Sequence, residues 1–266
     1  MKKYLIVLFV LLIIFTGCSR KTEETTDVIP LKVGMELAYP PFEMTDTDGN
    51  PTGISVDIVK AFGEYLGRPV EIQNIAWDGL IPSLKTGKVD MVLSSMTITE
   101  ERKGSVDFSD PYSKSFLTML ISKDSPVTDF TTLNVEGRSV AVRKGTSAHL
   151  YARENLPNTE IMVFDKESAC VLEVVGGKAD AFLYDQLSNF RNWEKNQETT
   201  RLNLTPFQSE FEYWGAAFKK GNTELQEEMN AFIPEFKKNG GFDELAVKYL
   251  KEVKEVFDAQ GVPFFF

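Results

Sequence analysis

The residues best suited to holding a charged small molecule fall in one run, Ser94-Ser95-Met96-Thr97-Ile98-Thr99-Glu100-Glu101-Arg102. Ser94, Ser95 and Thr97 bring hydroxyls that donate and accept, and Arg102 brings the planar guanidinium that grips a carboxylate through two parallel hydrogen bonds. The preceding Val89-Asp90-Met91-Val92-Leu93 is an apolar run of strand length, and Thr99 followed by Glu100 and Glu101 has the composition of a helix start. The hydroxyls therefore begin where a buried strand ends, which in an open α/β sheet is the edge where ligands bind. Taken alone, these residues fit a solvated loop with a surface arginine equally well.

The rest of the composition removes several chemistries. A net charge of −10 over 266 residues lacks the basic footprint of a nucleic-acid binder. His149 is the single histidine, which argues against histidine-based catalysis and a His-rich metal site. Cys18 and Cys170 are too few for a four-ligand zinc cluster, and no cofactor is expected. With 42% hydrophobic residues and 20 Phe, the chain can bury a sizeable core.

Lys2 and Lys3 followed by the apolar run from Tyr4 to Phe15 make a signal peptide, residues 1–17, too short to span a bilayer. Phe15-Thr16-Gly17-Cys18 resembles a bacterial lipobox, in which the cysteine is lipidated and becomes the mature N-terminus, although Phe15 stands where a leucine is usual. The expected location is extracytoplasmic, with a lipid anchor in a bacterial membrane. Residues 18–30 are polar and charged and read as a flexible tether. Cys170, among Ala169, Val171 and Leu172, reads as a buried small side chain.

The elements that must position the hydroxyl run alternate. A strand over Leu31–Met35, a helix over Val56–Leu66 stopped by Gly67, a strand at Val70–Gln73 and a helix from Trp77 stopped by Gly87 lead to the strand before Ser94. That order implies a parallel sheet covered by helices. A second unit follows: a strand over Phe116–Ser122, a helical turn over Leu133–Gly137, strands at Ser139–Val142, Glu160–Phe164 and Ala179–Leu183, and helices at Ala148–Asn155 and Glu167–Gly176. Tyr213–Phe218 reads as a return strand, before helices over Thr223–Lys238 and Phe242–Val256 and an apolar tail ending in Phe264-Phe265-Phe266. The fold class is thus α/β with two lobes, residues 31–114 plus 213–266 and residues 115–212. They are joined by two crossings near Lys114 and Glu212, with a cleft suited to a small ligand.

At this level of organisation a set of ordered motifs resembles the extracytoplasmic solute-binding proteins of family 3, receptors for polar amino acids in ABC importers. The motifs are Tyr39-Pro40-Pro41-Phe42-Glu43, Gly53-Ile54-Ser55-Val56-Asp57-Ile58, Trp77-Asp78-Gly79-Leu80-Ile81-Pro82, Ser94 through Arg102, Val106 through Tyr112, Lys144-Gly145-Thr146-Ser147 and Gly177-Lys178-Ala179-Asp180-Ala181. Ser55 departs from the acid usual there, and its place at a helix start predicts an effect on capping. The resemblance implies a two-lobed periplasmic-binding-protein-like fold of type II, a free amino acid as ligand, a permease as partner and a monomer. It implies that Arg102, Thr97, Thr146 and Ser147 hold the α-carboxylate, the last two at a helix N-terminus with unsatisfied N–H groups. Asp185 and Ser95 are implied for the α-ammonium. From the residues alone, an Asp at a strand end is as readily a helix cap.

Tyr39 and Trp77 match aromatic positions that sandwich the ligand side chain in relatives, with Ser94 and Tyr184 in the same pocket. Glu36 and Arg143 fall where the distal side chain is read. An acid beside a base suits a neutral amide, so the expected ligand is a polar neutral amino acid, glutamine first. If Glu36 and Arg143 instead pair with each other, a small or apolar ligand is left for the aromatics. Two further readings stay open: a cyclohexadienyl or arogenate dehydratase-like enzyme in the same cleft, and a sensory surface lipoprotein that serves no transporter.

Overall fold

The computed structural model describes residues 28–266. The expected signal peptide, Cys18 and the expected tether as far as residue 27 lie outside the described residues. Ile29 and Pro30, expected at the end of a flexible tether, are held: Arg68 donates from Nε to the Ile29 carbonyl (3.1 Å) and from Nη2 to the Pro30 carbonyl (3.2 Å).

Each lobe is built on a five-stranded mixed sheet. In the first, Leu31–Met35 is an interior strand; Leu31, Val33 and Met35, which share one face, are fully buried. Val70–Asn74 and Met91–Val92 pair parallel to it. Ala217–Lys219 then runs antiparallel between Met91–Val92 and Val106–Phe108, so the sheet is mixed and not purely parallel. The mixed character comes from the chain's return from the second lobe: Ala217–Lys219 inserts between Met91–Val92 and Val106–Phe108, which themselves run in the same direction.

The second sheet has the order 159–164, 138–143, 181–185, 117–122, 200–203. Its first three strands are parallel and the last two antiparallel to their neighbours. Between the lobes, Ser113–Ser115 pairs antiparallel with Glu212–Trp214, a two-stranded hinge.

Several elements differ from the sequence reading. The helical turn expected over Leu133–Gly137 lies earlier, at Phe130–Leu133, because Asp129 and Thr132 form a capping box that fixes its start. The expected return strand over Tyr213–Phe218 is broken at Gly215 and Ala216, giving one piece to the hinge and one to the first sheet. Gln186–Lys195 is a helix and Thr200–Asn203 an edge strand, neither of which hydrophobic periodicity exposed. Ser55 does not cap its helix. Gly53 occupies that position, at φ 124°, where a Cβ would collide with the carbonyls of Pro41 and Phe42.

The apolar tail packs on the first lobe and hinge. Phe265 is buried against Phe42 and Trp214, with ring centroids 5.1 Å and 5.7 Å away. Its carbonyl accepts from the Lys114 N–H at 3.0 Å.

Candidate functional site

Strand ends from both sheets converge on one cavity. Glu36 follows Leu31–Met35, Ser94 and Ser95 follow Met91–Val92, Arg143 ends Arg138–Arg143, and Tyr184 and Asp185 end Ala181–Asp185. The cavity wall also includes Tyr39, Trp77, Thr97, Arg102, Thr146 and Ser147. All twelve residues expected at a site from the sequence are therefore brought together.

Ser95 takes a positive φ of 47°, unusual for a residue with a side chain. With this turn both serine hydroxyls reach one buried acid: Ser94 Oγ donates to Glu43 Oε1 (3.1 Å) and Ser95 Oγ to Glu43 Oε2 (3.0 Å). Ser55 Oγ, fully buried, donates to the same Oε2 at 2.6 Å. Burial pushes the Glu43 carboxyl up to about 8, against the pull of these three hydroxyls.

Arg102 follows the N-cap Thr99, whose side chain accepts from the Arg102 N–H. The guanidinium donates from Nη1 to the Thr97 carbonyl (2.6 Å) and from Nη2 to the Gly145 carbonyl of the other lobe (2.9 Å). It lies over the Trp77 ring at 5.2 Å from the centroid, and Arg143 lies 5.8 Å from that same ring. Burial lowers Arg102 to about 10, opposed by the nearby Glu212 and Glu101, so it stays charged at neutral pH.

Asp185 does both things the sequence allowed. Oδ1 accepts from the Leu187 N–H (3.0 Å) and the Ser188 N–H (2.9 Å), capping the helix Gln186–Lys195. Oδ2 accepts from the Tyr39 hydroxyl of the first lobe at 2.5 Å. Burial still raises the Asp185 carboxyl above its ordinary value. Tyr39 is stacked on Phe42, with centroids 5.3 Å apart, and meets Tyr184 edge-on.

Glu36 and Arg143 do pair across the cleft. Arg143 Nη2 lies 2.6 Å from both Glu36 oxygens, and Glu36 Oε1 also accepts from the Trp77 N–H at 3.3 Å. Burial alone would lower the Arg143 guanidinium, but the neighbouring Tyr184 and Glu36 outweigh it and raise it. The Thr146 side chain is committed to structure: it caps Ser147–Asn155 and donates to the Arg143 carbonyl at 2.7 Å.

The model of the bacterial extracellular solute-binding proteins, family 3, matches residues 31–252. The chain belongs to that family. It is 31% identical over 219 residues to the L-cystine-binding protein of Escherichia coli strain K12, covering 82% of each chain. It is 30% identical to the L-arginine-binding protein of Pseudomonas aeruginosa, over 87% of this chain and 90% of that one. A glutamine-binding protein of a Bacillus subtilis ABC transporter is 30% identical, over 77% of this chain and 75% of its own. Among solved structures, an ancestral amino-acid-binding protein described as a precursor of cyclohexadienyl dehydratase superposes with a TM-score of 0.73. It is 37% identical, over 83% of this chain and 94% of that one.

As a family 3 solute-binding protein, the chain has further cavity residues that the sequence reading passed over: Glu43, Ser115, Leu117, Glu212 and Trp214. Glu43 closes the motif Tyr39-Pro40-Pro41-Phe42-Glu43, and an acid directly after a proline pair and a phenylalanine is the signal the sequence offers. Glu212 and Trp214 carried none, since they reach the cavity only because the hinge strand Glu212–Trp214 crosses behind it. Among the described residues no helix is long and apolar enough to cross a membrane.

Proposed function

We propose that this protein is the extracytoplasmic receptor of an amino-acid ABC importer, a lipid-anchored monomer that captures a polar neutral amino acid, glutamine first, and delivers it to a membrane permease. The observation that carries the reading is a single cleft holding buried charges of both signs, Arg102 with hydroxyls of Thr97 and Ser147, and Asp185. A zwitterion matches such a site, and it is held fully only when both lobes contribute. The relatives named for cystine, arginine and glutamine support the ligand class. For the side chain, Glu36 and Arg143 are paired in this structure, the arrangement that leaves a small or apolar side chain for the aromatics; glutamine requires its amide to insert into the pair, donating to the acid and accepting from the base. A cationic side chain meets Arg143, and an anionic one meets Glu36.

Thermal melting of the full-length protein in mild detergent against the twenty amino acids tests this, because a ligand of the folded state alone raises the melting point. The largest shift is expected with glutamine or a close polar relative. A much larger shift with arginine or lysine removes the neutral-amide assignment. No shift with any amino acid, before and after denaturation and refolding, removes the receptor reading.

The dehydratase reading draws on Glu43, an acid of the cavity wall that burial keeps protonated at neutral pH. Its oxygens lie against the hydroxyls of Ser55, Ser94 and Ser95, which can accept as well as donate, so the carboxyl proton is held by a serine and not aimed at a substrate. Incubation with prephenate or arogenate is expected to yield no product.

A further inference from the structure

Glu212 sits on the hinge strand Glu212–Trp214, and its carboxylate spans the cleft. Oε2 accepts from Thr97 Oγ1 of the first lobe (3.1 Å) and from Ser147 Oγ of the second (2.8 Å). Oε1 accepts from Gln208 Nε2 at 3.1 Å. Thr97 and Ser147 are the hydroxyls assigned above to the ligand's α-carboxylate, and Arg102 is the cation nearby. A glutamate carboxylate has the same two oxygens and single charge as the α-carboxylate of an amino acid. It makes with those hydroxyls the bonds that a ligand would make.

The position also allows Glu212 to leave. Thr97, Ser147 and Glu212 form a wall shared between the cavity and a second groove, open to solvent, whose lining includes Gln208, Glu210 and Tyr213. A carboxylate displaced from the hydroxyl pair can turn into that groove and be hydrated. Burial pushes the Glu212 carboxyl above its ordinary value, with Arg102 opposing, so its present seat is held by hydrogen bonds and charge against a desolvation cost.

We infer that Glu212 is an internal stand-in for the ligand's carboxylate. The two compete for Thr97 and Ser147, and Glu212 thereby sets how tightly the protein holds its amino acid. The inference rests on the carboxylate reading of those two hydroxyls. A ligand that binds must break the charge-assisted bonds of Glu212 and tolerate its charge close by. Glu212→Gln keeps the size and lowers both barriers, and Glu212→Ala vacates the seat.

The test is calorimetric titration of L-glutamine and L-arginine, and of their α-amides, into the full-length protein, E212Q and E212A. Both variants are expected to bind the free amino acid about tenfold tighter than the parent, roughly the loss of one competing charged hydrogen bond. The α-amides, which carry no carboxylate, are expected to change less than about threefold on the same scale. Unchanged or weaker amino-acid binding in both variants overturns the inference, as does an equal gain for the amides. Should the parent bind neither amino acid, gain of binding in E212A supports the inference, and no binding in all three proteins overturns it. The panel of twenty amino acids on the parent alone decides the receptor reading, so the two failures are distinguishable.

Discussion

Asp185→Asn separates the two jobs that one carboxylate performs. Oδ1 caps the helix Gln186–Lys195 through two N–H groups, while Oδ2 carries the charge proposed to meet an ammonium. Asparagine keeps an oxygen able to accept both capping bonds and is as good an N-cap as aspartate, but it has no charge. Losing one partner of a buried, hydrogen-bonded charge pair costs about 2–5 kcal/mol in binding. That corresponds to roughly 30-fold to several-thousand-fold weaker affinity.

Stability moves the other way. Burial raises the Asp185 carboxyl, so above that raised value the ionised side chain weighs against the fold, and a neutral asparagine does not. D185N without ligand is therefore expected to melt at or slightly above the parent. Asp185→Ala removes the cap as well, about 1 kcal/mol, or roughly 2–4 °C in a protein of this size. Calorimetric titration of the amino acid found in the melting panel, with thermal melts of the three proteins in buffer alone, reads both quantities. Binding by D185N within threefold of the parent refutes the ammonium argument. A D185N melt as low as that of D185A refutes the division of labour between the two oxygens.

Two further outcomes follow from the site and its support. Glu43 is raised by burial to about 8, so the folded state binds more protons than the unfolded one between the ordinary carboxylate range and that value. Its contribution is full below the unfolded value and is lost as pH rises toward 8; melts from pH 5 to 8 should therefore decline in the parent and decline less steeply in Glu43→Gln, the remainder coming from other acids raised by burial such as Glu167, and an unchanged slope excludes Glu43 as a source. Phe265 is almost wholly buried against Phe42 and Trp214, so Phe265→Ala should cost about 3–5 kcal/mol in urea unfolding, and a loss below about 1 kcal/mol would mean that the tail does not brace the hinge.

How far the sequence reached depended on the kind of information each feature needs. Local signals sufficed for the helix starts and stops: Thr99 caps a helix, and Gly67 and Gly87 end helices in the left-handed conformation the chain turns through there. The helix Gln186–Lys195 was missed because its apolar positions are few and its composition polar. The hydroxyl run and Arg102 stand out as polar residue types at a strand end, whereas the residues around Asp185 indicate a helix cap and only the family resemblance points it at a ligand.

The sequence by itself determined the alternation of strands and helices, the two-lobed α/β class and the residue types that a zwitterion requires. Those are set by hydrophobic periodicity, turn chemistry and side-chain charge, all of which act over a few residues. Only the tertiary structure decided which of those charges are already answered. Glu36 and Arg143 are 107 positions apart, and Thr97 and Glu212 are 115 apart, yet each pair meets across the cleft. Ser55 serves Glu43 and not its own helix end. Such pairings depend on how two sheets close on one another, and no local pattern encodes a distance between residues that meet only in the closed fold.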